Sequence, residues 1–353
     1  MRTGTSAADC ARSEPTVDLG VPHQPESRDS ALRSSPRDLQ AAGAAPSASV
    51  IIPTYNRRAR LAPTLDAVLA DGGATEVIVV VDGSDDGTLE WVLGHDDPRL
   101  RGQQILNAGP AGARQFGLEL ARHDVVVFLD DDVIASPQLI TRHLAHHANT
   151  SALVVLGYLR TPLPERRRAR DYPLFMYHQS YENHVVAWRT AASNVLRHFW
   201  GGNFSMSRLA ALRVGLHDPT LRLDYYEDYE FGKRCEASGL TGLFDPSLVA
   251  LHDYRRTTRG FRRAARDSGR ARALLDGPSD AASSLRRGVA SRLLVALGSH
   301  PLGSFLATWG FRMAASAFGV VRWFTLQERA ATYLQLAEQS KVIAREHTRS
   351  LKP

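Results

Sequence analysis

The chain has 353 residues, 43% of them hydrophobic, enough to bury a sizeable core as one large domain or two. Its 43 Lys and Arg against 37 Asp and Glu leave a net charge of +6, mostly carried by arginine, which suits anionic partners such as phosphates or acidic lipid. Two cysteines, Cys10 and Cys235, exclude a disulfide framework and a cysteine-based metal site, and fit a reducing compartment.

Residues 1–46 combine Pro, Ser, Ala and scattered charge without an apolar period, which predicts a disordered tail. They hold no apolar stretch of the secretory kind, so a cytoplasmic location is expected. Ser47–Pro53 reads as a first strand, and Thr54-Tyr55-Asn56-Arg57 turns out of it; Leu61, Leu65, Val68 and Leu69 then recur at helical spacing. Glu76–Val81 is a second buried strand. It ends in Asp82-Gly83-Ser84-Asp85-Asp86-Gly87-Thr88, where glycines admit close backbone approach and acids accept hydrogen bonds, although solvated turns share this composition. A third strand near Gln103–Leu106 leads through Asn107-Ala108-Gly109-Pro110-Ala111-Gly112-Ala113-Arg114 into a helix to about Ala121.

The next stretch organises the rest. Val125-Val126-Val127-Phe128-Leu129 is a short strand buried on both faces, and it stops at Asp130-Asp131-Asp132. Three unpaired charges are too costly to carry into a core, so they belong at the strand's carboxyl end, in the crevice where open α/β sheets bind ligands. Adjacent carboxylates call for a cation, and hard oxygen donors suit Mg2+ or Mn2+. A helix-capping cluster ahead of Ser136-Pro137 is the plainer alternative. The alternation of strands and helices predicts a mostly parallel sheet with helices on both faces. With Asp82 on the same edge, the acids point to a nucleoside-diphosphate site.

Ala152–Leu156 is a further strand. The following Glu165-Arg166-Arg167-Arg168-Ala169-Arg170 run, with Tyr172, Phe175, Tyr177, Tyr181 and Trp188, reads either as a solvated loop or as a mobile flap with arginines for phosphate and aromatics for a sugar. In Tyr225-Tyr226-Glu227-Asp228-Tyr229-Glu230-Phe231-Gly232-Lys233-Arg234, the acids fall at a helix start, where the macrodipole favours them in any case. Val249–Asp253 ends another short strand, at His252, and a lone histidine is often structural.

Taken together, Ser47 to His252 resembles family 2 of the inverting glycosyltransferases, with the GT-A nucleotide-sugar fold. The resemblance rests on Val50-Ile51-Ile52-Pro53-Thr54-Tyr55-Asn56-Arg57, on Asn107 to Gly117, on Asp130-Asp131-Asp132 as an Asp-x-Asp motif, on Gly201-Gly202-Asn203 and on Glu227-Asp228. One departure is Val81, where the family commonly has a first acid before Asp82; Asp82 or Asp85 then has to serve the base. The resemblance implies Asp228 as general base. It implies donor binding by Pro53, Tyr55, Asp82, Arg114, Asp130, Asp131, Gly202 and Asn203. It further implies a divalent cation on Asp132, Asp130 and His252, with Glu227 and Arg234 as accessory residues.

These readings divide the chain into a tail over 1–46, a GT-A domain over 47–255 (nucleotide-sugar half 47–135, acceptor half 136–255) and a C-terminal helical region over 256–353. In the last, Gly260–Arg272 has a basic helix pattern, and Leu293–Phe311 contains no Lys, Arg, Asp or Glu. That apolar run, continued by Met313–Val321 with Trp309, Trp323 and Phe324, admits a packed subdomain, a surface-lying or re-entrant hairpin at the inner face of the membrane, or a true span. Leu326 to about Arg345 reads as an amphipathic helix. The expected partners are a nucleotide-diphosphate sugar and a hydroxyl acceptor (glycan, lipid-linked or small molecule), with peripheral membrane contact left open and no nucleic acid. Two rivals remain: a metal-dependent nucleotidyl or phosphoryl transferase, and a non-catalytic basic scaffold on a membrane surface.

Overall fold

The computed structural model describes residues 46–218, 221, 225–277, 301–320 and 324–350. Residues 1–45 of the expected tail, and residues 293–300 and 321–323 of the apolar run, lie outside them. Strands and helices alternate first, as β1 (Ala48–Thr54), α1 (Arg58–Leu69), β2 (Ala74–Asp82), α2 (Thr88–Leu93), β3 (Leu100–Ile105), α3 (Gly109–Leu120) and β4 (Val125–Leu129). β1, β2 and β4 are buried along almost their whole length, as their β-branched runs require. They pair in parallel, with β3 outside β2.

The second part contains β5 (Val133–Ala135), α4 (Leu139–His147), β6 (Leu153–Arg160), α5 (Tyr172–Thr190), α6 (Ser193–Arg197), β7 (Asn203–Ser207), α7 (Arg208–Val214), α8 (Glu227–Ala237) and β8 (Thr241–His252). The result is an eight-stranded mixed sheet in the order β3-β2-β1-β4-β7-β6-β8-β5, antiparallel at β4–β7, β7–β6 and β8–β5. Register assigns the faces. Ile51 pairs with Ile78 and Phe128, and Phe128 with Phe204, so these side chains share the face on which Gly117 of α3 lies against Ile51. Val127 pairs with Ser205, which turns to the other face and meets α4.

The same pairings assemble one edge. β4 ends at Leu129 opposite Asn203, which brings Gly201-Gly202 beside Asp130. Val133 pairs with His252, which brings the end of β8 beside Asp132.

Under the sheet, α4 makes a buried polar cluster. His143 Nδ1 and His147 Nε2 each lie 2.8 Å from Ser205 Oγ, and His143 Nε2 lies 3.0 Å from Asn203 Oδ1. Burial pushes both histidines down to about 4, against an ordinary value of about 6.5. Because the folded state resists these protons and the unfolded chain takes them up, this contribution is complete above about pH 6.5 and is lost as pH falls toward 4. We expect the thermal midpoint to drop by many degrees between pH 7.5 and 4.5, and a His147→Gln variant to show a shallower decline. An unchanged slope in that variant would place the acid sensitivity elsewhere.

Two expectations are corrected. The segment after the basic run is no irregular flap but the 19-residue helix α5, entered at Tyr172-Pro173. Tyr177, Tyr181 and Trp188 recur at helical spacing, and Tyr181 and Trp188 are buried. The arginine run is likewise not poised for phosphate as a group. Arg167 is sandwiched between Phe175 and Phe324, and it pairs with Glu328 at 2.6 Å. Smaller differences concern strand ends: β3 begins at Leu100, and β8 runs for 12 residues, with a register shift opposite Gly157 and Tyr158.

C-terminal to β8 come α9 (Thr258–Leu275), α10 (Pro301–Val320) and α11 (Phe324–Ser350). α11 docks on α9 where Gly269 lies against Gln339. Buried Glu338 accepts there from Arg262 at 2.7 Å and from Arg266 at 3.3 Å. Among the described residues no helix is long and apolar enough to cross a membrane.

Candidate active site

Asp130, Asp131 and Asp132 follow β4 with different partners, although Asp131 and Asp132 share Arg57. Asp131 turns back under β1. Its carboxylate accepts from Thr54 Oγ1 at 2.8 Å and from Arg57 at 3.0 Å, and its carbonyl accepts from Thr64 Oγ1. Burial, countered by Arg57 and reinforced by Asp132, pushes it up to about 6. Asp132 sits among Arg60 at 3.1 Å, Arg57 at 3.3 Å and His252 Nε2 at 3.3 Å. Burial works against its ionisation, yet His252 and the two arginines hold it below the ordinary carboxylate value. Asp130 meets Arg114 at 2.5 Å.

Arg114 links two parts of the site. It rises from α3 and is almost fully buried, and its second nitrogen lies 3.8 Å from Asp228. The surrounding carboxylates raise its pKa, so it stays charged at any working pH. Asp228 itself stands in the first turn of α8, where its other oxygen accepts from the Gly201 N–H at 2.8 Å. Burial raises the pKa of both Glu227 and Asp228, each reinforced by a neighbouring acid and opposed by Arg114. Tyr226, just before this turn, has φ +67, a left-handed conformation uncommon for a tyrosine; its hydroxyl accepts from Arg272 of α9 at 2.9 Å.

The glycine pair is dictated by space. A Cβ on Gly201 would collide with Asp228, and one on Gly202 would come 3.1 Å from Asp130. Gly201→Ala should therefore displace Asp228 and remove a hydrogen bond that lowers its pKa. We expect a loss of about 1–3 kcal/mol in stability together with most of the activity. Calorimetry and an activity assay on one preparation would show whether both fall.

α5 roofs the site with aromatic rings. The Tyr177 hydroxyl lies 2.9 Å from His252 Nδ1, and its ring stacks on Tyr254 at 3.7 Å and meets Trp200 edge-on at 5.5 Å. A cavity of about 410 Å3 opens beside Tyr254, lined by Arg170, Asp171, Leu174, Arg255 and Arg256 among others.

The donor set was tested for a divalent cation. Among the described residues no three His, Cys, Asp or Glu side chains form a ready ligand cluster. Asp132 and His252 are a pair, and Mg2+ commonly takes one or two carboxylates and completes its shell with waters and substrate phosphates. Tyr177 on Nδ1 turns Nε2 toward Asp132, as an outer-shell partner of a metal-bound histidine does. The residues fit the ion. Asp130 is not brought to this pair, because Arg114 draws it away.

The other expected residues fall into two groups. Tyr55 is half exposed at the mouth, and Asp82 lies at the same edge. The Asp82 carboxylate, however, is occupied by the N–H groups of Ala108 at 2.7 Å and Gly109 at 3.0 Å, at the start of α3. Asp85 is exposed beside it, its N–H donated to Asn56. Pro53 is buried within β1. Asn203 points away from the crevice, donating to Leu248 O at 3.1 Å and accepting from His143. Arg234 is spent on Glu230 at 2.6 Å and on the carbonyls of Val214 and Gly215 that end α7. Asn203 and Arg234 therefore shape the site without entering it. Arg60 and Tyr177 do enter it; the sequence did not single out Arg60, and it read Tyr177 only as one aromatic of a loop or sugar-facing flap, not as the partner of His252. Arg60 stands one turn after Arg57 on α1, a spacing that would have put both on one face.

Residues 49–209 match the family model described as glycosyl transferase family 2. The validoxylamine A glucosyltransferase of Streptomyces hygroscopicus subsp. jinggangensis is 35% identical over 222 residues, covering 55% of this chain and 52% of the relative. A Campylobacter jejuni GalNAc(5)-diNAcBac-PP-undecaprenol beta-1,3-glucosyltransferase is 38% identical over 92 residues, 25% of this chain and 30% of that one. The chain spans about half the length of the glucosyltransferase relatives from Streptomyces hygroscopicus. Among solved structures, a Pyrobaculum calidifontis mannosyltransferase in complex with GDP-Man and Mn2+ superposes with a TM-score of 0.50 at 17% identity, covering 85% of this chain and 88% of that one. It shares the fold.

Proposed function

We propose, for a chain whose residues 49–209 place it in glycosyl transferase family 2, that it transfers a sugar from a nucleoside-diphosphate donor to an acceptor hydroxyl with inversion at the anomeric carbon. The observation that carries this reading is the convergence, on one sheet edge, of a cation-type pair (Asp132, His252) and a carboxylate of raised pKa (Asp228), which Arg114 joins to Asp130. The catalytic unit is 47–255, its nucleotide half 47–135 and its acceptor half 136–255, with 256–353 as a helical annex; the location is cytoplasmic.

Mg2+ or Mn2+ would be held by Asp132 and His252 and, when bound, would neutralise charge developing on the departing diphosphate. Arg57 and Arg60 offset the charge of Asp131 and Asp132 and stand ready beside the phosphates. Asp130, fixed by Arg114, is placed for the ribose hydroxyls, and Asp85 for the base. Asp228 takes the proton of the acceptor hydroxyl at Oδ1, the oxygen not held by Gly201, as the acceptor oxygen attacks from the face opposite the leaving group. Raised basicity suits that task, because a carboxylate of higher pKa accepts a proton more readily. The names of the relatives, glucosyltransferases, support a hexose donor.

Product analysis tests this. Incubation with UDP-, GDP- and dTDP-hexoses and a glycoside acceptor should release a nucleoside diphosphate and give a product of inverted anomeric configuration by proton NMR. Release of pyrophosphate would instead indicate nucleotidyl transfer, and retention of configuration would remove Asp228 from its role.

A further inference from the structure

α10 is built inside out. It carries one charged residue, Arg312, and no acid over Pro301–Val320. Toward α11 and the short turn Ala169–Asp171 it directs mainly small or polar residues, Ser304, Thr308, Ala315 and Gly319, all buried, with Phe311 meeting Tyr333 of α11 at 5.3 Å. A Cβ on Gly319 would collide with Gln327 and Ala169, so the close approach depends on the glycine. Outward it directs Leu302, Phe305, Leu306, Trp309, Met313 and Val320, from 51% exposed at Met313 to 77% at Val320. At about 100° per residue these six fall on a single stripe.

A helix on the surface of a water-soluble domain normally shows the reverse arrangement. Small residues against a neighbouring helix with large apolar residues outside is the pattern of helices packed in lipid. Among the described residues no helix qualifies as a span, and a helix with such a stripe can lie along an interface instead of across it. Its flank is cationic. Arg312 sits at the edge of the stripe, and Arg166, Arg168 and Arg170 are exposed on the segment that packs against α10, with Glu165 and Asp171 as the acids there. A second copy of this chain on the stripe would bring like arginines together, whereas an anionic surface would satisfy them.

We propose that the exposed stripe of α10 is a docking surface for a lipid bilayer bearing anionic headgroups: Phe305, Leu306, Trp309 and Met313 enter the interface, and Arg312 with Arg166, Arg168 and Arg170 meets lipid phosphates. Arg170 and Asp171 also line the cavity beside Tyr254, so a docked bilayer lies next to that cavity's mouth. The proposal does not depend on sugar transfer.

The test is co-sedimentation of the full chain with phosphatidylcholine vesicles, with and without about a third of phosphatidylglycerol. The protein should pellet with the anionic vesicles, less with the neutral ones, and less as salt rises. A Phe305→Asp/Trp309→Asp variant, altered only at exposed positions, should keep its thermal midpoint and partition at least about tenfold more weakly. Arg312→Glu serves as a second variant, expected to reduce the preference for anionic over neutral vesicles. Failure of the parent to bind either vesicle, or undiminished binding by both variants, overturns the proposal. So does a parent dimer that Phe305→Asp/Trp309→Asp dissolves while no vesicle is bound, because the stripe then belongs to a second copy.

Discussion

Asp228→Asn lowers sugar transfer by on the order of 10²–10⁴-fold while nucleoside-diphosphate binding stays near the parent value. The substitution is nearly isosteric, and the Asn oxygen still accepts from the Gly201 N–H. What disappears is a proton acceptor of raised pKa, and with it one negative charge facing Arg114. Because Asp228 touches neither Asp132 nor His252, the cation pair should be unaffected. Steady-state rates beside isothermal titration of the nucleotide separate the two effects. Transfer within threefold or so of the parent would mean that another group takes the proton, with the neighbouring Glu227, whose pKa is also raised, as the first candidate.

Arg114→Met has the second largest effect and reaches both stability and catalysis. Arg114 is buried, whereas the Asp130 and Asp228 side chains are 32% and 31% accessible. Removing the shared cation leaves two carboxylates repelling across the crevice. The cost should be on the order of 2 kcal/mol, below the ~3–5 kcal/mol of a fully buried pair, because solvent reaches both acids. The sign of the pH effect follows from the same contacts. Arg114 lowers the pKa of Asp228, so its removal raises that pKa, and the acid limb of the rate profile moves to higher pH. Arg114→Lys keeps the charge without the two-pronged geometry and should fall between the parent and Arg114→Met. A profile unmoved by Arg114→Met would show that the 3.8 Å contact carries no functional coupling.

Much of the site was readable before any coordinates. The end of β4 at Asp130 is fixed by the cost of burying charge, and the adjacent strand ends follow from parallel pairing. Gly201, Asp228 and His252 came from resemblance, and register explains two of the placements: Leu129 opposite Asn203 brings the glycine pair beside Asp130, and Val133 opposite His252 brings that histidine beside Asp132. What could not be read was the commitment of individual polar groups. Asn203 and Arg234 carry suitable chemistry in a family motif, yet one feeds the buried His143 cluster and the other caps α7. Conversely, Tyr177 reaches His252 across 75 positions of chain. Such pairings arise from packing and leave no local signal. The run at 172–188 read as a flap because much of its buried face is tyrosine and tryptophan, whose polar tips blur the helical period.

The central claim is a cation-dependent nucleoside-diphosphate site on Asp132 and His252, and its most direct test is thermal unfolding with UDP, GDP or dTDP, each with and without Mn2+. A nucleotide at 100 times its dissociation constant should stabilise the fold by about 2.7 kcal/mol. One nucleotide should raise the midpoint with Mn2+ present, little without it, and not at all in Asp132→Ala. An equal rise without Mn2+, or one that survives Asp132→Ala, would contradict the account.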